Sequence, residues 1–134
     1  MLKMTPPSDD LERWYWPLRW LKYLARFPHE HKTWLASGHS IPNGDPPEPL
    51  APASKLCGWL LLPPIGVAAE ARTIPLESRT VHIYALHALH PEEMALKLEK
   101  GTNALLDAFD HHRVSEILRT DRPPAVRRKF LGLI

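Results

Sequence analysis

Residues 80–98 read Thr80-Val81-His82-Ile83-Tyr84-Ala85-Leu86-His87-Ala88-Leu89-His90-Pro91-Glu92-Glu93-Met94-Ala95-Leu96-Lys97-Leu98, and a change of rhythm inside this run decides the fold. From Thr80 to Leu86, Val81, Ile83 and Ala85 alternate with His82, Tyr84 and Leu86, the period of two expected of a strand. From Pro91 the apolar positions, Met94 and Leu98, share one face of a helix. Pro91 suits the first helical position, where a backbone N–H has no partner in any case, and Glu92 and Glu93 complement the positive end of the helix dipole.

Downstream, Gly101-Thr102 breaks the helix, and Leu105, Leu106, Ala108 and Phe109 continue the helical pattern to about His112. Upstream, strands are expected at about Ala71–Pro75 and Lys55–Leu62, with a hairpin turn at Glu77-Ser78-Arg79. The fold class is therefore α/β in the broad sense, specifically α+β: a twisted, mostly antiparallel sheet packed against helices. One compact domain is expected over residues 1–134, with a basic tail at 120–134.

Asp9 and Asp10 are N-cap candidates for a helical stretch from Leu11 to about Phe27, with Pro17 in the first turn of its main part and Pro28 ending it. Trp14, Leu18, Leu21 and Ala25 form one apolar stripe; Trp16, Trp20, Tyr23 and Phe27 form a second, leaving a polar wedge of Arg19, Lys22 and Arg26. A helix this apolar is expected to be buried on two sides, with its aromatic stripe internal or turned to a partner. Between Ser37 and Pro52 runs a long irregular segment stiffened by prolines, of which the chain has 15. Loops of this length usually carry function.

Composition removes several classes. The 17 basic and 15 acidic residues leave a formal charge of +2, too balanced for a general nucleic-acid binder. The longest apolar run, Trp59–Ala69, is interrupted by Pro and Gly and falls short of the roughly 20 residues a spanning helix needs. No signal-peptide core precedes it. Cys57 is the single cysteine, so no internal disulfide can form and a cytoplasmic setting is expected.

Catalytic and metal chemistry find little support. His29 and His31 have a strand-type spacing but sit at a turn; His111 and His112 point about 100° apart on a helix. His82 and His87 face opposite ways along one strand, so no metal site and no cofactor are expected. Cys57 lies in a buried strand, where a thiol is inert packing. Ser37, His39 and Ser40 are sequence neighbours rather than a triad, and no nucleophile elbow or phosphate loop is present. Glu92-Glu93 and Asp107/Asp110 have structural reasons to be where they are: they cap, pair with Lys97 or Lys100, or face water. No enzyme is expected.

The run Trp16-Pro-Leu-Arg-Trp-Leu-Lys-Tyr-Leu-Ala-Arg-Phe-Pro-His-Glu30, then Trp34 and Gly38-His-Ser-Ile-Pro-Asn-Gly-Asp-Pro46, resembles the suppressor-of-fused domain of bacterial proteins. The strands at Lys55–Pro64 and Val81–Leu89, the helix from Pro91 and Gly101-Thr-Asn-Ala-Leu-Leu106 follow in matching order, so the resemblance spans about Trp14 to Pro124. It implies a sheet flanked by helices and no catalytic residues. It also implies protein binding: animal relatives restrain a transcription factor by accepting an extended peptide as an added strand, and bacterial relatives look like immunity or antitoxin proteins. Members of this family carry strands before the aromatic helix, whereas here only Leu2–Thr5 could supply one. A shortened sheet would leave an edge for a partner or a second copy.

The expected function is thus a non-enzymatic protein-binding module of the immunity or antitoxin type, with a toxin encoded nearby as partner. The alternative is a regulatory or scaffold protein that adds a strand from an extended peptide or from a second copy, as a homodimer. A metal-dependent hydrolase built on the histidines ranks below both. Trp16, Trp20 and Tyr23 on the helix, and Gly38, His39, Asn43, Gly44 and Asp45 in the loop, are the expected contact residues.

Overall fold

The computed structural model describes residues 9–127. In chain order they form α1 (Asp9–Glu30), β1 (Ser40–Pro42), β2 (Gly58–Leu62), a 3-10 turn (Ala69–Arg72), β3 (Thr73–Pro75), β4 (Thr80–His82), β5 (Ala85–Leu89), α2 (Pro91–Lys100) and α3 (Thr102–His112). The strand pairings are all antiparallel, in a three-stranded sheet ordered β1-β2-β5 and a two-stranded ribbon β3-β4. The class is α+β, as the sequence leads one to expect. Leu2–Thr5 and the basic tail beyond Arg127 lie outside the described residues. By internal contacts the chain divides into two units, residues 1–35 and 36–134.

In the first unit, α1 runs through both Pro17 and Pro28 instead of starting at one and stopping at the other. An interior proline costs a helix about 3 kcal/mol. Burial of a large apolar side chain returns roughly 1.5–3 kcal/mol, so the buried Trp16 and Leu24 supply a compensation of the right size. Two-sided burial does not hold for this helix. Trp16 and Leu24 are buried, and Trp20 and Phe27 half-buried, but Trp14 is 81% exposed and Leu18 and Leu21 are each 50% exposed.

The second unit is built on β2. Gly58-Trp-Leu-Leu-Leu62 is apolar at every position after the glycine, as suits a central strand covered on both faces, and it is buried up to Leu61. It starts three residues later than the expected Lys55, because Leu56 is used to close a loop: Leu50 N donates to Leu56 O at 2.8 Å and Leu56 N to Ser54 Oγ at 3.1 Å. On one edge β1 pairs Ile41 with Trp59; on the other, β5 pairs His87 with Leu60. Cys57, Leu60, Leu89, Met94, Leu105, Phe109 and Ala125 make the core, so sheet, α2, α3 and the following segment share one apolar interior. Cys57 lies in it with Sγ 3.6 Å from Met94 Sδ; burial first, then the carboxylates of Glu92 and Glu93, push its thiol pKa up.

The expected strand Thr80–Leu86 proves to be two strands in two sheets. The ribbon ends where Ile83 N donates to Arg72 O at 2.9 Å, and the chain then turns so that Ala85–Leu89 joins β2. Alternation reports the strand period but not the partner, so it runs unbroken across such a corner. Leu76 N, donating to Arg79 O at 2.8 Å, closes the hairpin at the expected turn. Of the strand expected at Ala71–Pro75, the first part is the 3-10 turn and only Thr73–Pro75 is extended.

A buried ionic hub locks the segment after α3 in place. Glu93, fully buried in the first turn of α2, accepts from His90 N at 2.7 Å, from Arg122 Nη2 at 2.7 Å and Nη1 at 2.8 Å, and from Ala125 N at 3.1 Å. Arg122 Nη2 also donates to Ala88 O at 2.7 Å, and His90 Nε2 donates to Arg122 O at 2.9 Å. Each carboxylate oxygen is satisfied, which is the condition under which a buried charge is tolerable.

Candidate partner-binding surfaces

The loop after Ala36 is laid along β2 by its own backbone. Gly38 N donates to Leu61 O at 2.8 Å, Leu61 N to His39 O at 2.9 Å, and Asn43 N to Cys57 O at 2.8 Å. The expected irregular segment therefore contains a strand, β1, that the many prolines hide. Gly38 and Gly44 have φ of +84° and +90°, a region that glycine enters without the steric cost of a side chain. His39 Nδ1 accepts from Ala36 N at 3.2 Å. Asn43 Nδ2 donates to Pro49 O at 2.8 Å and Asn43 O accepts from Glu48 N at 2.8 Å, closing the turn that holds the cis Asp45–Pro46 bond. Gly38, His39 and Asn43 thus have internal roles, while Gly44 and Asp45 are exposed at the tip.

The helix candidates belong to the first unit. Trp16 is buried, Trp20 is half-buried with its ring edge-on to Tyr23 at 5.4 Å, and Tyr23 is exposed. Tyr23 also meets Phe27 at 6.0 Å, and Phe27 meets His31 at 4.4 Å.

The ribbon carries a surface that sequence reasoning missed. Ile74 lies opposite Val81, and the two-residue alternation puts Leu76 and Ile83 on the same side. These four aliphatic side chains are between 38% and 48% exposed. Their signal was present in the alternation, which reads as a half-buried strand and so assigns this face to the interior.

Beside β5 a small cleft is lined by Leu86, Ala88, Val114, Glu116, Ile117 and Arg122. Glu116, one of its lining residues, accepts from Ile65 N at 2.9 Å and Gly66 N at 2.7 Å. His87 is buried on the same strand, its ring stacked on Phe109 with centroids 6.0 Å apart, and neither ring nitrogen has a hydrogen-bond partner. Burial holds its pKa below the usual value of 6.5; the Glu116 carboxylate and the nearby Ser115 backbone oppose this, and the Arg122 guanidinium adds to it. A histidine with a lowered folded pKa contributes stability that is fully present above the unfolded value and lost as pH falls through it. Urea unfolding at about pH 8, 7, 6 and 5 should show the midpoint falling below about pH 6.5, with a flatter profile for His87→Phe. Parallel profiles would contradict the assignment.

Among the described residues, no group of three or more His, Cys, Asp or Glu is arranged to hold a metal ion, and no helix is long and apolar enough to cross a membrane. The comparisons with known proteins bear on the fold and the family. The family model described as suppressor of fused protein (SUFU) matches residues 1–123. A chain of the solved Sufu-Fu complex superposes with a TM-score of 0.66 at 16% sequence identity, covering 93% of this chain and 49% of its own length. This chain therefore spans about half of that one, and at this identity the likeness speaks for the fold alone. No curated protein matches the chain.

Proposed function

The chain belongs to the suppressor of fused family, and on that premise we propose that it is a non-enzymatic module that binds another protein. The observation that carries this reading is the ribbon β3-β4. A two-stranded hairpin is marginal in water without a further strand or a covering layer, yet this one holds Ile74, Leu76, Val81 and Ile83 half-exposed on one face. With only two strands, each also has an edge without a ladder partner among the described residues. Exposed apolar surface of this kind marks a site of interaction. The solved structure of similar fold is itself a complex of two proteins, Sufu and Fu.

In the finer form of the proposal the chain is a bacterial immunity or antitoxin protein, cytoplasmic, whose partner is a toxin encoded beside it. Of the expected contact residues, Tyr23, Gly44 and Asp45 are exposed and are the ones proposed to meet the partner; Trp16 is buried, and Trp20, Gly38, His39 and Asn43 are half-buried. A second reading, addition of an extended peptide or a second copy as a strand, is favoured by the ribbon's open edges.

Co-expression with the proteins encoded on either side, followed by size-exclusion chromatography, tests the proposal. Co-elution with a neighbour supports the immunity reading and supplies the partner. Elution as a homodimer moves the weight to strand addition between copies. A monomer that takes up neither a neighbour nor an extended peptide removes the protein-binding reading altogether.

A further inference from the structure

The first unit carries a second surface whose chemistry specifies its occupant more closely than the ribbon does. At 100° per residue, Trp14, Leu18, Leu21 and Ala25 fall within about 60° of one another on α1. All four are exposed. Arg19, Lys22 and Arg26 lie together about 100° to one side of this stripe. The buried Trp16 and Leu24 occupy the opposite flank.

Tyr15 lies among the cations and gathers two of them: the Arg19 guanidinium sits 5.8 Å and the Lys22 ammonium 5.1 Å from its ring centroid, and Lys22 Nζ also donates to the Tyr15 hydroxyl. From Arg13 to His29 the helix holds four Lys and Arg residues and not one Asp or Glu. An exposed apolar stripe edged by cations at one-turn spacing is complementary to the mirror pattern.

We infer that this face of α1 docks an acidic amphipathic helix of a partner protein, one with an apolar stripe flanked on one side by carboxylates a turn apart. The inference rests on the protein-binding reading above and names one of its surfaces. Apolar contact with Trp14, Leu18 and Leu21 supplies the anchor, and Lys22 and Arg26 select a negatively charged partner and set its direction. An anionic membrane is the other occupant of this general chemistry, but a helix lying in an interface presents cations on both margins of its apolar face so that they can reach the headgroups. Here three of the four cations, Arg19, Lys22 and Arg26, are on one margin with Arg13 alone toward the other, and two of the three are held over a tyrosine ring.

The test uses the full chain and two labelled synthetic peptides of about twenty residues, long enough for a stable helix. Both carry leucines at positions one turn apart; one has glutamates along a single flank, the other lysines. Vesicles of anionic phospholipid form the third arm. The acidic peptide should bind saturably and the basic one should not. Lys22→Glu with Arg26→Glu should weaken the acidic peptide by about tenfold or more and transfer binding to the basic peptide, and Leu18→Glu should abolish binding of either.

Equal binding of both peptides, no binding of the acidic one, or binding to vesicles alone would overturn the inference. A neighbour-encoded partner that binds the Lys22→Glu, Arg26→Glu protein as tightly as the wild type would sink this surface while leaving the protein-binding reading intact. A chain that binds no partner in either form sinks that reading instead.

Discussion

Replacing Glu93 by alanine should destabilise the protein by about 3–5 kcal/mol, the cost expected when one member of a buried ion pair is removed. The carboxylate is fully buried and takes four hydrogen bonds. Its loss leaves the Arg122 guanidinium in a low-dielectric site with only carbonyl partners, at Ala88 and Pro123, and strands the N–H groups of His90 and Ala125. Domains of this size are stable by roughly 5–15 kcal/mol in all, so the variant should lose a large share of its margin and unfold at a much lower urea concentration. Urea titration followed by tryptophan fluorescence measures the loss. Glu93→Leu combined with Arg122→Met should recover much of it, because removing both charges also removes their desolvation cost. A single-variant loss below about 1 kcal/mol would place the hub among weak surface pairs.

Phe109→Ala should cost about 3–5 kcal/mol. Phe109 is buried in the common core, lies flat against the His87 ring, and has the Arg122 guanidinium 5.6 Å above its ring centroid. Truncation opens a cavity and removes two ring contacts at once. Since Arg122 touches both Phe109 and Glu93, the losses from Phe109→Ala and Glu93→Ala should fail to add by more than about 0.5 kcal/mol. The double variant in the same titration checks this, and strict additivity would show that the two sites act independently.

These effects fall where sequence reading was weakest, and for a physical reason. The limits of α2 and α3 were legible because their signals are local: Pro91 at the start, Gly101 at the break, and Phe109 on the apolar face. Glu93 was legible as a residue suited to a helix start, which its bond from His90 N bears out. Its burial against Arg122, 29 residues away, has no local signature. The same limit hid the corner at Ile83-Tyr84, where one alternating pattern serves two sheets, and β1, whose pairing with β2 depends on residues far along the chain. On α1 the stripes were legible as stripes, but spacing alone did not tell which faces solvent. The ribbon's apolar face was missed because an alternating strand is ordinarily assigned to a core.

The central claim, that this domain works by presenting its β3-β4 ribbon to another protein, is tested most directly by hydrogen exchange. The full chain is measured alone and saturated with the neighbour-encoded protein that co-elutes with it. The account predicts slowed exchange across residues 73–83 in the complex. Unchanged exchange across the ribbon in a saturated complex would contradict it.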